Sequence, residues 1–490
     1  MQQLSGQDAM FVHTENMGIP QHIGILSIYD QSTAPEGLVR FKQILQLLEN
    51  RSHLSPIFNR RLRKVPLSLD QPYWEDVEHA DIETHVHHIA LPKPGDWRQL
   101  CILASRIHAR PLDMSKPLWE MYVIEGLDSV RELPKGCFAV MTKVHHAAMD
   151  GATGARFIPL LHDLSPDIAI AAEAPTKVVQ KYNDGHMLSN ALFNNLKKPG
   201  QFLNLIGSAI PTWRRIRRGK KEQDFSTLED KQKTVFQGKI SPYRVCDAVP
   251  FPFEDIRAIK NTVAGATIND AMLCIVSGGL RKYLTAKNAL PEKTLVTGCP
   301  IDVRSNDEQS SGGNMVGFMT VSLHSNIEDP KERLTAIHAA SMSSKAYADA
   351  LGPRMAVDVT NVLPGGMLSL ALRAASATGL TEAAVIFNTV VTNVPGPTQQ
   401  LYFCGAKMVD GMNFGPLLPN VGLFQIVYSS VLNKVGTISI SFTACRKMLP
   451  DPELYSACLV ESYNELKAAC LGANEEKSKT RAKQTAKSAH

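Results

Sequence analysis

The 490-residue sequence has no uninterrupted apolar run approaching the ~18 residues that a membrane-spanning helix needs, so none is expected. Its opening residues, Met-Gln-Gln-Leu-Ser-Gly-Gln-Asp, lack the basic and then apolar pattern of a secretory leader. Nine cysteines are scattered without one Cys-x-x-Cys pair, which disfavours a disulfide framework or a zinc site and predicts reduced, buried thiols in a cytoplasmic protein. A net charge of +5 is small for this length, and basic residues are not interleaved with aromatics, so nucleic acid is not an expected partner. No Gly-x-Ser-x-Gly elbow is present, which removes the commonest marker of a covalent serine nucleophile.

What remains is globular. A hydrophobic content of 44% with 20% charged residues is that of an ordinary folded chain, and the length is too great for one core, so two or three domains are expected.

The most informative stretch is Phe138 to Gly151. Its apolar run alternates as a strand does, with Phe138, Val140 and Val144 on one face and Ala139, Met141 and Lys143 on the other. His145 and His146 then point opposite ways, one into a cavity and its neighbour into the wall. Gly151 permits a sharp turn directly after Asp150, so that the acid can point back and fix the loop. A neutral imidazole within reach of a hydroxyl is a suitable general base at neutral pH. The pattern H-H-x-x-x-D-G resembles that of CoA-dependent acyltransferases, and the resemblance implies transfer of an acyl group from a thioester to an alcohol.

Along the chain, a strand is predicted to about Tyr29, a helix over 36–50, extended chain from Tyr73, a helix over 100–108 and a strand over 119–125. Arg60, Arg61, Arg63 and Lys64 read as a solvated helix end. His85, His87 and His88 lie in a strand-like stretch, where His85 and His87 share a face and could ligate a metal, but no carboxylate or cysteine lies at a useful spacing, so both are read as structural and no metal is expected. Residues 166–238 are polar and proline-dotted and form the expected interdomain connection. Within it, Met187, Leu188, Ala191, Leu192 and Leu196 make an apolar stripe. Trp213 to Lys221 adds six positive charges in nine residues. Stripe, tryptophan and basic run together suit an anionic lipid surface; a packed crossover helix with a solvated end accounts for them equally well. Thr267 and Asp270 have the spacing of a capping box for a helix reaching Leu284. Strands follow over 294–304, 315–323, 384–394, 424–431 and 437–443, then a helix over 452–466. Asn413 to Pro416 reads as a glycine-rich loop, and the tail 471–490 as disordered.

Three blocks, Pro117-Leu118-Trp119, H-H-x-x-x-D-G at 145–151 and Asn393-Val394-Pro395-Gly396-Pro397, together make the chain resemble the bacterial wax ester synthase/acyl-CoA:diacylglycerol acyltransferases from about Leu4 to Leu466. The resemblance implies an α/β (α+β) fold of two chloramphenicol-acetyltransferase-like domains with mixed sheets covered by helices, expected over 1–165 and 239–470, with a reaction centre in a tunnel between them. It implies His146 as base, His145 as its support, Asp150 and Gly151 in the loop, and Arg304 as the partner that anchors Asp150. An Asn-Asp pair in the family falls on Asn269 and Asp270 and makes Asn269 a candidate oxyanion or substrate contact. Expected substrates are long-chain acyl-CoA and a fatty alcohol or diacylglycerol, without a cofactor, at the inner face of a membrane or on a lipid droplet. A condensation enzyme using carrier-tethered acyl groups and a non-catalytic lipid-surface protein of the same fold are the alternatives.

Overall fold

A computed structural model describes residues 2–15, 17–78, 80–130, 133–149, 157–167, 183–196, 232–302, 316–351, 385–432 and 435–472, together with 374 and 378. Two six-stranded mixed sheets dominate it. The first contains β2 (His22–Asp30), β5 (Val86–Ala90), β6 (Trp119–Glu125) and β7 (Phe138–His145), which pair in the order β2-β7-β6-β5. The second contains β8 (Arg244–Pro252), β11 (Thr389–Pro395), β14 (Leu423–Leu432) and β15 (Val435–Cys445), in the order β8-β15-β14-β11. In each set the first two pairings are antiparallel and the third is parallel. Chain order is the same in both, so the molecule is built twice on one four-strand plan.

The additions differ. In the second sheet β9 (Val296–Asp302) and β10 (Val316–Ser322) extend the β11 side. In the first sheet the added strands come from the far half of the chain: β13 (Ala406–Phe414) pairs with β2, and β12 (Tyr402–Phe403) pairs with β13. The expected span 239–470 therefore holds two strands of the first sheet. Asn413 and Phe414, read from sequence as part of a glycine-rich loop, end a strand instead. Glycine here serves close approach: a Cβ on Gly411 would meet the Leu26 carbonyl oxygen at 3.0 Å, and one on Gly415 would lie 2.2 Å from the Phe424 ring.

The alternation of β7 decides which layer covers which face. Phe138, Val140 and Val144 join a core with α2 (Phe41–Arg51) and Phe157 and Leu161 of the helical turn 157–161. Ala139 and Met141 join another with α3 (Trp97–Ala109). α3 also reaches β8, where Trp97 Nε1–H donates to Asp247 Oδ1 at 2.7 Å, so this helix bonds to both units. The second unit closes over an apolar core around the helices Ile268–Ala286 and Pro452–Lys467.

Two local expectations change. Arg60–Arg63 is a strand, β3, not a helix end; it pairs with β4 (Tyr73–Asp76), whose acids hold its cations, Arg60 with Asp76 at 2.8 Å and Arg61 with Glu75 at 2.9 Å. His85 precedes β5, stacks on Trp119 with ring centroids 4.6 Å apart and bonds its carbonyl through Nδ1, whereas His87 packs on Tyr122 of the other core. The two histidines do not share a face.

Candidate functional site

β7 ends at His145, and the chain turns at once. His145 is fully buried, while His146, the first residue of the turn, is half-buried. The expected inequality of the two rings is thus present in their exposure. The turn is held by main-chain bonds: His146 N–H donates to Gln21 O at 2.8 Å and Ala148 N–H to His145 O at 2.9 Å. The His145 ring adds a third, since Ala147 N–H donates to its Nδ1 at 3.1 Å.

Both rings face α1 (Gly6–Glu15), so they do not point opposite ways as strand alternation predicts: β7 stops at His145, and His146 already belongs to the turn. Phe11 stacks on His146 with centroids 4.1 Å apart and planes inclined by 11°. One turn further on, Glu15 Oε2 lies 2.6 Å from His145 Nε2, approaching off the N–H line, with the carboxylate nearly buried. One turn back, Gln7 grips the main chain of Val316 at the start of β10, accepting from its N–H at 3.0 Å and donating to its carbonyl. Gln7, Phe11 and Glu15 are spaced by four and so share one helix face. Sequence reading missed all three. Their spacing was the available signal, but nothing local ties it to residues 130 positions away.

Beneath the pair is a buried polar layer. His22 is the register partner of His145, and burial, with Lys143 nearby, holds its imidazole well below the ordinary 6.5. Lys143 is wholly buried, 2.8 Å from Glu120, and donates to the carbonyls of Ile107 and Arg110 at the end of α3; burial lowers its pKa. Burial also pushes His108 down to about 3, and its Nε2 meets the Gly415 carbonyl at 3.1 Å across the junction of the two units.

On the Val140 and Thr142 face lies a narrow slot lined by Ile25, Tyr29, Met121, Phe157, Leu161 and Phe403. Tyr29 and His162 line it together: Nδ1–H of His162 donates to Ile158 O, so Nε2 accepts from the Tyr29 hydroxyl at 2.7 Å.

Asn269 stands half-exposed on the first turn of Ile268–Ala286, where Thr267 and Asp270 form the expected capping box and Asp270 also meets His338 Nδ1 at 3.0 Å. Asp150, Gly151 and Arg304 lie outside the described residues, and with them the expected anchor of Asp150 on Arg304. So do Trp213 to Lys221 and the tail from 473. All nine cysteines are free and buried; burial pushes the thiols of Cys274, Cys299 and Cys404 up to about 12. Of the apolar stripe, Met187 and Ala191 are buried against Val65 and Tyr73, whereas Leu192 is 59% and Leu196 80% exposed, as is neighbouring Phe193 at 58%. Among the described residues no helix is long and apolar enough to cross a membrane.

Two such mixed sheets covered by helices define a two-unit α/β fold that solved structures share. A starter condensation domain of rhizomide synthetase shares the fold at TM-score 0.54 and 12% identity, covering 96% of this chain and 94% of that one. The wax ester synthase/diacylglycerol acyltransferase from Marinobacter aquaeolei VT8 aligns at TM-score 0.67 and 26% identity over 96% of this chain and all of the other. The model of the wax ester synthase/diacylglycerol acyltransferase catalytic domain matches residues 4–272, and that of the C-terminal domain matches 312–467. A probable diacylglycerol O-acyltransferase of Mycobacterium tuberculosis H37Rv is 31% identical over 469 residues, 94% of this chain and 98% of the relative. The chain belongs to the wax ester synthase/diacylglycerol acyltransferase family and is an acyltransferase.

Proposed function

We propose that the protein transfers a long-chain acyl group from acyl-CoA directly to a lipid hydroxyl, either a fatty alcohol to give a wax ester or diacylglycerol to give triacylglycerol. The carrying observation is the half-buried His146 ring at a strand end, stacked on Phe11 and beside a fully buried partner histidine. His146 takes the hydroxyl proton as the oxygen attacks the thioester carbonyl; the tetrahedral oxyanion collapses, and CoA leaves as a thiolate and is protonated. Asn269 is the proposed oxyanion donor. Asp150 is assigned to holding the loop, with Arg304 as its partner.

Direct transfer is supported by the buried, high-pKa thiols, since a cysteine nucleophile needs an accessible thiolate. No cofactor is assigned a role. The exposed Leu192, Phe193 and Leu196 edge supports greasy substrates. That edge, followed in sequence by the Trp213 to Lys221 basic run, is assigned to peripheral contact with an anionic lipid surface from the cytoplasmic side.

Purified protein given long-chain acyl-CoA and hexadecanol or dioleoylglycerol, with no carrier protein, should release CoA thiol and form the ester. Short-chain donors should be poorer, because each buried methylene contributes ~0.8 kcal/mol. Turnover only with carrier-tethered donors would favour the condensation reading. Thiol release without ester would indicate hydrolysis, and no release with any acceptor would overturn the assignment.

A further inference from the structure

We infer that Glu15 is a positioning residue for the reaction, acting on His146 through the tautomer of His145. The inference rests on His146 being the base.

The His145 ring makes one polar bond to the turn. Ala147 N–H can only donate, so Nδ1 of His145, 3.1 Å away, has to be an unprotonated acceptor. The ring proton therefore sits on Nε2, and Nε2 is the atom that Glu15 Oε2 approaches to 2.6 Å. A carboxylate at that distance favours a proton on the facing nitrogen and disfavours a lone pair there. With the carboxylate removed, the buried ring would be free to move its proton to Nδ1. Two N–H groups would then face each other across the Ala147 contact, and the turn that begins with His146 would have to shift. The route is thus carboxylate, tautomer, turn and base, a relay of orientation with no proton passed along it.

Two further observations point the same way. His145 is wholly enclosed, so solvent cannot substitute for Glu15 in setting its proton. Glu15 is also carried by the helix that places Phe11 flat against His146 and whose Gln7 is bonded at both polar atoms to β10 of the second unit. One rigid element accordingly sets both imidazoles relative to the second sheet.

The experiment is a double-mutant cycle of Glu15→Gln and His145→Ala in full-length protein, read by steady-state kinetics, together with nitrogen-15 NMR of the His145 ring. Glu15→Gln keeps the size and polarity of the side chain but removes the charge. We expect it to lower kcat by roughly 10- to 100-fold with KM within about twofold, and to cost less than about threefold in the His145→Ala background, because the residue through which it acts is gone. In the wild type the ring should carry its proton on Nε2, and in Glu15→Gln the two tautomers should mix. Equal costs in both backgrounds, unchanged kcat in Glu15→Gln, or an Nδ1-protonated ring in the wild type would each overturn the inference. The NMR reading of the wild type needs neither turnover nor a folded variant, so it decides the tautomer even if the acyl-transfer reading fails.

Discussion

β7 and β15 occupy the same place in the two four-strand units, and the correspondence extends to single hydrogen bonds. His145 N–H donates to Leu118 O, the residue before β6, and Cys445 N–H donates to Gly422 O, the residue before β14. Each strand-end carbonyl then accepts from the residue three further on, Ala148 in one case and Met448 in the other. Even the register partners correspond, His22 opposite His145 and Arg244 opposite Cys445. What differs is the chemistry. Cys445 is a fully buried thiol held by Ser241, whose N–H lies 3.3 Å from Sγ, and the chain runs on into a helix. His145 faces a carboxylate and is followed by an imidazole that reaches the surface layer. One backbone plan thus supports an anchoring strand end and the one proposed to be reactive, and the distinction rests on a few side chains and on the helix α1 laid over the second.

The sharpest way to break this comparison is to exchange reactive for inert. His146→Ala should cut acyl transfer by ~10²-fold or more while circular dichroism and the melting profile stay near wild type. Cys445→Ala, the change at the other strand end, should leave turnover within about twofold and cost stability of only about 1–2 kcal/mol in denaturant titration. Comparable activity losses in the two variants would mean that the strand ends are not functionally distinct.

A second test targets the junction that brings the units together. Gly415→Ala places a methyl group against the Phe424 ring, at the residue whose carbonyl meets His108. Destabilisation of about 1–3 kcal/mol is expected, together with reduced turnover, because the second unit shifts against the first. A variant of wild-type stability would show that the approach of β13 to β14 is loose.

The buried imidazoles predict a pH response. Burial depresses His22 well below 6.5, His108 to about 3 and His162 to about 4, so each stays neutral in the folded chain while its unfolded counterpart takes up a proton below 6.5. The unfolded state then binds more protons, so stability is flat in these groups above about pH 6.5 and falls as pH drops towards their folded values, by up to ~1.4 kcal/mol per pH unit for each. Replacing His162 with Phe should flatten the slope of denaturant-derived stability between pH 6 and 4.5. An unchanged slope would place the proton uptake elsewhere.

The smallest effect concerns the surface of the connection. Changing Arg214, Arg215, Arg217 and Arg218 to glutamine should weaken binding to anionic vesicles at low salt by ~1 kcal/mol per charge at most, without touching turnover on detergent-dispersed substrates. Undiminished sedimentation with vesicles would favour a packed crossover.

The strands at 119–125 and 424–431 were readable because apolar runs bounded by turn residues leave little choice of structure, and the structure gives Trp119–Glu125 and Leu423–Leu432. The cap at Thr267 and Asp270 was readable because its partners are three residues apart. β13 was misread because glycines that permit close approach look the same in sequence as glycines that permit a turn. The basic run at 60–64 was misread because the acids that pair with it stand on the next strand.

By itself the sequence determined the alternation along β7, because a strand has a fixed two-residue period; that the period stops at His145 and leaves both rings against one helix it did not show. It also determined the motif by which the family is recognised. Only the tertiary structure decided that α1 covers both rings, that Glu15 meets His145, that β13 completes the first sheet and that β15 repeats β7 without its chemistry. Those relations join residues as much as several hundred positions apart, and they arise from which surfaces bury one another, a property that no local window of residues contains.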